Sequence, residues 1–513
     1  MTRTSEKSKR IAKNTLLLYV RMLFLVLVGL YTSRVVLRIL GVVDFGIFSV
    51  VGGVIAMIGF IQASLGGATS RFITFDLGRG DMAAMKKTFG NIVTIHLLFA
   101  GIILLVGETA GLWFVMNKLQ IPESRQVAAF WVYQFSILTA ILSIVSIPYN
   151  AVIVAHERMS AFAYITIADV VLKLLIVYLL LVVPYDRLIV YSALFFCIQL
   201  FDRIVYGIYC NRYFEETRVG LHIDKKQFKE IAVFAGWTIN GNLAVMGYTQ
   251  GLNILLNMFF GPAVNAARGI AVQVQTVSQQ FCTNFQMALN PQLTKSYAQG
   301  DLDYMHKLVI ASSKFSFFIM LLIALPLMLE ADVVLHWWLG DVPDHTANFL
   351  RLILCTSLLF TLSNPILVSV HATGRLKTFQ LIEGTMLLLI VPVAYVLLKF
   401  FDVPPESVFV VHIVIEICTQ CVRLKIVLPM IGMRMRLYLK KVVYRLALVV
   451  ATAPILPIVL HEVSGKGVIS FIVVVSASVV SLSASIYWLG CSNSERLLVR
   501  EKGGDILKKI HRK

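Results

Sequence analysis

The chain has 513 residues, of which 58% are hydrophobic and only 14% charged. A soluble globular chain is about 45–50% apolar and about 25% charged, so a water-soluble fold lacks the polar side chains to cover this much apolar surface, and lipid is the natural solvent. The net charge of +18 does not read as a nucleic-acid footprint, because Lys and Arg concentrate in Arg3 to Lys13, Arg71 to Lys87, Arg203 to Lys229, Arg423 to Arg445 and Arg496 to Lys513. The segments between hold few: Lys118, Arg125, Arg187, Lys399 and Lys466. This alternation is the positive-inside pattern, which predicts both termini in the cytoplasm and basic loops beside anionic headgroups.

The apolar run after the basic residues 1–13 is too long for the h-region of a signal peptide, so it reads as a retained first span. A span needs about 20 mostly apolar residues. Candidates lie near 14–40, 44–70, 89–115, 126–152, 161–183, 188–210, 231–259, 263–290, 308–329, 348–371, 379–401, 407–431, 443–460 and 468–490. The expected fold class is thus an all-α polytopic membrane protein of about 14 transmembrane helices. A cytoplasmic N-terminus (1–13) precedes a first six-helix lobe (14–210), a cytoplasmic linker (211–230) and a second six-helix lobe (231–431). Two additional helices (443–490) and a basic cytoplasmic tail (491–513) follow. No connection is long enough to fold into a soluble catalytic domain. No zinc motif, P-loop or nucleophile elbow is present, so no catalytic residue, metal or cofactor is expected. Of the seven cysteines, Cys418 and Cys421 form a CxxC, but inside an apolar helix where small packing residues are expected rather than a metal or redox pair.

The two lobes repeat each other in order. Gly41, Gly80-Asp81, Met85 and Lys87 recur 220 residues later as Gly261, Gly300-Asp301, Met305 and Lys307. Cys197, Gln199 and Arg203 recur as Cys418, Gln420 and Arg423. Pro148 and His156 precede a turn much as Pro365 and His371 do, and Asp169 has Glu383 as an approximate counterpart. Six helices repeated put the same end inside each time, which makes a parallel repeat, and substrate sites typically lie between such halves.

Two neighbouring spans are unusually polar. In the eighth, Arg268, Gln275, Gln279, Gln286 and Asn290 fall within an arc of about 60° at 100° per residue. Gln273, Gln280 and Asn284 widen the sector, and Ile270, Val274, Val277, Phe281, Phe285 and Ala288 take the other half. In the seventh, Thr238, Asn242, Thr249, Gln250, Asn253 and Asn257 share one side. Amides facing hydrocarbon without partners cost several kcal/mol each, so these faces meet protein or water. Interhelical hydrogen bonding is one reading of any single amide; two adjacent polar faces predict a hydrated cavity.

Intramembrane charges are sparse, and each is a functional candidate. Arg34 and Arg38 near the outer end of the first span, Arg21 deeper in it, and Arg268 would give a positive field suited to a diphosphate, which guanidinium binds through paired donors. Arg34 and Arg38 have the alternative of snorkelling to outer headgroups. Asp169 and Lys173 are i,i+4 in the fifth span, either a self-neutralising pair or a cation- or proton-coupling site. His412 and Glu416 share that spacing in the twelfth span.

Four segments carry a family resemblance: Leu40–Phe48 (LGVVDFGIF), Pro148–Arg158 (PYNAVIVAHER), Gly261–Gly269 (GPAVNAARG) and Asn284–Gln292 (NFQMALNPQ). They resemble bacterial polysaccharide transporters, the Wzx-type flippases of the multidrug/oligosaccharidyl-lipid/polysaccharide (MOP) exporter superfamily, from about residue 10 to 490. The resemblance implies two MATE-like six-helix lobes around a central cavity with two extra helices. It implies transfer of an undecaprenyl-diphosphate-linked oligosaccharide across the bacterial inner membrane, with membrane lipids, a polysaccharide polymerase and glycosyltransferases as partners and no nucleic acid. Arg268 is similar in placement to an eighth-helix arginine of the related lipid II flippases, and Arg38 with Gly41 fits their Arg-x-x-Gly end of the first helix. The rival functions are a multidrug antiporter of the same superfamily, which would want acidic residues in an apolar cavity, and a membrane glycosyltransferase or polymerase.

Overall fold

The computed structural model describes residues 3–56, 59–118, 121–218, 220, 224–260, 262–339, 342–464 and 467–497. Among them every regular element is helical. In hydrocarbon a helix satisfies its own backbone donors and acceptors, which an open strand or loop cannot. The chain order is α1 (Arg3–Ala56), α2 (Gly59–Arg79), α3 (Met82–Val106), α4 (Leu112–Lys118), α5 (Gln126–Ala155), α6 (Met159–Leu179), α7 (Arg187–Tyr213), α8 (Lys225–Phe260) and α9 (Pro262–Ala298). Then follow α10 (Leu302–Leu329), α11 (Ala331–Leu339), α12 (Thr346–Thr373), α13 (Lys377–Leu388), α14 (Ile390–Phe400), α15 (Ser407–Met430), α16 (Met435–Tyr438), α17 (Tyr444–Thr452), α18 (Ile455–Ser464) and α19 (Val468–Ser485).

Eleven helical stretches are long and apolar enough to cross a membrane. Three expected spans fall outside that group for visible reasons. The first two lie in α1 and α2; α1 is really two helices joined at Gly41, whose φ of 78° only glycine adopts without strain. The expected second span at 44–70 runs on to Arg79 in α2. Helix α9 is long enough at 37 residues, but its amides lower its hydropathy.

Where helices loosen inside the bilayer, a side chain from elsewhere takes up the freed carbonyl. A π turn at Gly107–Gly111 joins α3 to α4, and Tyr133 of α5 donates to the Gly107 carbonyl at 2.8 Å. A Cβ on Gly111 would sit 2.1 Å from the Tyr133 hydroxyl, so that close approach requires glycine. The π turn at Ile486–Gly490 is served likewise by Arg445, 3.1 Å from the Gly490 carbonyl.

The chain divides into two compact units. The first comprises residues 1–243, 287–301 and 374–380; the second comprises 244–286, 302–373 and 381–513. The unit boundaries therefore run through α8 and α9. The first unit's core joins α1, α5 and α7 through Val36, Leu40, Val132, Tyr133, Ile137 and Leu188. The second unit's core joins α8, α9, α10, α12, α14 and α15 through Leu256, Ala271, Met320, Phe349, Ile390 and Phe409.

The sequence repeat has a geometric counterpart at the turns. Gly80 and Gly300 both adopt left-handed backbone, at φ 76° and 73°, ending α2 and α9. Pro148 and Pro365, 217 residues apart, are followed at the same 217-residue offset by left-handed Glu157 and Gly374. The histidines do not share this register: His156 and His371 are 215 apart, so pairing them is corrected. His156 instead meets Glu216 at 2.6 Å.

The second unit holds a buried charge cluster. Arg423, 4% exposed, donates through Nε to Glu383 at 2.6 Å and through Nη1 to Glu416, Ser363 and Gln420. Glu416 is thus engaged by Arg423, while the ring of His412 lies 5.0 Å from that of Tyr248. Breaking a buried ion pair from one side typically costs about 3–5 kcal/mol, because the partner stays buried and uncompensated. Arg423→Met should lose stability on that scale in a detergent unfolding titration. The triple change with Glu383→Gln and Glu416→Gln should recover more than half of the loss.

Candidate functional site

In the second unit, Arg268 near the start of α9 donates through Nη1 to the Asn253 side chain at 3.1 Å and through Nη2 to the Thr249 carbonyl at 3.2 Å. Both acceptors lie on α8, so the guanidinium ties the two polar helices together. Its Nε is buried with no hydrogen-bond partner. A guanidinium carries five donors, and this one retains capacity for an anion.

The polar sector of α9 separates into two kinds of residue. Gln275 donates to the buried Ser357 hydroxyl of α12 at 2.8 Å, and buried Gln286 donates to the Thr361 carbonyl of the same helix at 3.1 Å. These two amides hold α9 against α12, the interhelical role the sequence reading left open. Gln273, Thr276 and Thr283 are exposed, and Gln279 and Gln280 partly so. On α8, Gln250 is exposed. At bilayer depth such exposed amides need water or a polar ligand. The side chain of Asn257 lies outside the described residues.

The remaining candidates belong to the first unit. Asn242 of α8 donates to Ser64 of α2 at 2.7 Å. The Asn290 amide oxygen is buried without a hydrogen-bond partner. Arg21 donates to Thr166 of α6 at 2.6 Å and lies 4.5 Å from the centre of the Phe162 ring, so it packs α1 on α6. Arg38 is exposed, and the side chain of Arg34 lies outside the described residues. The structure therefore does not gather the four arginines into one cluster.

Lys173 donates to Asp169 at 2.8 Å and lies 4.9 Å from the centre of the Phe195 ring. Asp202 of α7, buried, hydrogen-bonds Asp169, so two carboxyls and one ammonium form a triad. Two carboxyl groups in hydrogen-bond contact hold a proton between them. A cavity of 240 Å³ lies alongside, sharing Phe195 and lined by Gln62, Ser136, Thr139 and Ser143. Sequence spacing missed Asp202; its one signal is an acid within an apolar stretch.

Lys173→Met should destabilise by about 3 kcal/mol, since it strands buried carboxylate charge. The double change Asp169→Asn with Lys173→Met should restore most of that stability. A double variant as unstable as the single one would contradict the pairing.

No protein-family profile and no curated protein matches the sequence. Solved structures do. An outward-facing multidrug resistance MATE family transporter of the MOP superfamily superposes with a TM-score of 0.70 at 14% identity, covering 83% of this chain and 96% of that one. The Vibrio cholerae MATE transporter VcmN in its bent form gives 0.66 at 17% identity, covering 86% and 99%. A MOP superfamily transporter from Pyrococcus furiosus gives 0.69 at 12% identity, covering 82% and 96%; a reversed pocket polarity suggests a different function for it. At these identities the likeness is one of fold: this chain is an all-helical membrane protein with the MATE-like architecture of the MOP superfamily.

Proposed function

We propose that the protein is a flippase that moves an undecaprenyl-diphosphate-linked oligosaccharide across the bacterial inner membrane by alternating access. One observation carries this reading: the exposed faces of α8 and α9 within the bilayer offer amides, hydroxyls and the Arg268 guanidinium, and no carboxylate. From Ile231 to Gly300 the chain contains no Asp or Glu. A cationic drug would want an acid there; a diphosphate wants a guanidinium, and sugar hydroxyls want amides. Basic loops on one side place both termini in the cytoplasm in this reading.

In this mechanism the sugar head enters a hydrated passage while the lipid tail stays in the bilayer. Gln250 and Gln279 hydrogen-bond sugar hydroxyls, and Arg268 pairs with the diphosphate. Moving one unit charge across 100 mV is worth about 2.3 kcal/mol, so a dianionic head leaving an inside-negative cell gains up to about twice that. The Asp169–Lys173–Asp202 triad supplies a proton-binding group should coupling be needed. The MATE-like fold keeps a multidrug antiporter as the second reading.

Flipping of a labelled diphosphate-linked oligosaccharide in proteoliposomes tests the proposal. Arg268→Ala should slow flipping at least tenfold, Arg268→Lys less, and reversing an imposed potential should reverse the rate preference. Unaltered flipping in Arg268→Ala, or export of lipophilic cations in place of the oligosaccharide, would defeat it.

A further inference from the structure

The α5–α6 and α12–α13 turns occupy equivalent places in the two sequence repeats. Pro148, Glu157 and Arg158 recur 217 residues on as Pro365, Gly374 and Arg375. Both turns pivot on left-handed backbone, at Glu157 (φ 58°) and Gly374 (φ 76°). A glutamate is unusual there, because the left-handed region crowds its Cβ.

The strained glutamate has a clear role. Its carboxylate is buried and accepts hydrogen bonds from Gln292 at 2.6 Å and Lys295 at 2.9 Å, both near the end of α9. The first repeat's turn thus supplies an internal anion to a cation on a neighbouring helix.

In the second repeat that anion is missing and the cations are multiplied. Where Glu157 stands in one turn, Gly374 stands in the other, and Arg71 of α2 lies against it. A Cβ on Gly374 would sit 2.7 Å from the Arg71 Nη2, so the guanidinium can lie there only because the residue is glycine. Arg71 is 9% exposed and stacks over Phe72 and Phe75, 4.3 and 4.8 Å from the ring centres.

Beside it opens a cavity of 670 Å³, lined by Arg71, Lys226, Lys229, Arg375 and Lys377 and by one acid, Glu230. Trp237 also lines it, and α13 begins at Lys377, which turns that helix's N-terminal dipole toward the same space. Five cations around one carboxylate repel one another in a partly enclosed site of lowered dielectric. Guanidinium, ammonium and helix N-terminal amides are together the donor set of phosphate sites.

We infer that this cavity binds a phosphate-bearing anion, which stands where Glu157 stands in the other repeat. The cavity sits at the basic ends of the helices, at headgroup depth, where the phosphate of a lipid or a soluble phosphate would reach it. The inference is independent of what the protein transports.

The full-length protein in nanodiscs tests it, with tryptophan fluorescence and native mass spectrometry as readouts. One arm titrates phosphatidylglycerol into phosphatidylcholine discs; the other titrates sodium pyrophosphate onto phosphatidylcholine discs. Arg375 and Lys377 are exposed, so Arg375→Gln with Lys377→Gln leaves the core intact. Saturable binding in either arm that weakens at least tenfold in this double variant is expected. Binding in the first arm alone assigns a lipid headgroup, and binding in the second a soluble anion. Gly374→Glu, which installs the carboxylate of the other repeat, should weaken binding comparably. No saturable binding in either arm, or binding equal in wild type and the double variant, would overturn the inference.

Discussion

Every polar group at bilayer depth must find a partner other than lipid. This one constraint organises the molecule. It makes the backbone helical throughout the described residues, and it explains why each π turn is matched by a donor from another helix, Tyr133 at Gly107 and Arg445 at Gly490. It explains why Arg423 is surrounded by two glutamates, a serine and a glutamine. The same constraint gives meaning to the exceptions: Gln250, Gln273 and Gln279 keep amides uncovered where a purely structural helix would have covered them.

The contrast between the repeats shows how duplication and divergence distribute charge. Corresponding positions do not keep corresponding partners. Asp169 is held by Lys173 on its own helix, whereas Glu383 is held by Arg423 from α15. Arg203, the counterpart of Arg423, instead lies 4.0 Å from the centre of the Tyr149 ring. Glu157 becomes Gly374. The fold tolerates these exchanges because each local group closes its own charge, except at the Arg71 cavity, where cations outnumber acids.

The helices were legible because hydropathy and basic loops report directly on the bilayer, and the left-handed Gly80 and Gly300 turns were legible as a repeated Gly-Asp. The polar face of α9 was legible as a face, but periodicity alone could not say which amides meet another helix. Gln275 and Gln286 turned out to bind α12, while Gln279, on the same arc, did not. The grouping of Arg21 with Arg268 failed for a similar reason: spacing along a helix says nothing about the Thr166 and Phe162 partners of α6 that engage Arg21. Asp202 and the Arg71–Gly374 approach join residues far apart in the chain and leave no local pattern.

The account stands or falls on whether water reaches the uncovered amides of α8 and α9. In a background with the seven native cysteines replaced, Gln250→Cys and Gln279→Cys should react with a membrane-impermeant maleimide, and Gln286→Cys, pinned against α12, should not. If the cysteines at 250 and 279 stay unlabelled from both sides of the membrane, these helices line no aqueous passage and the translocation reading is wrong.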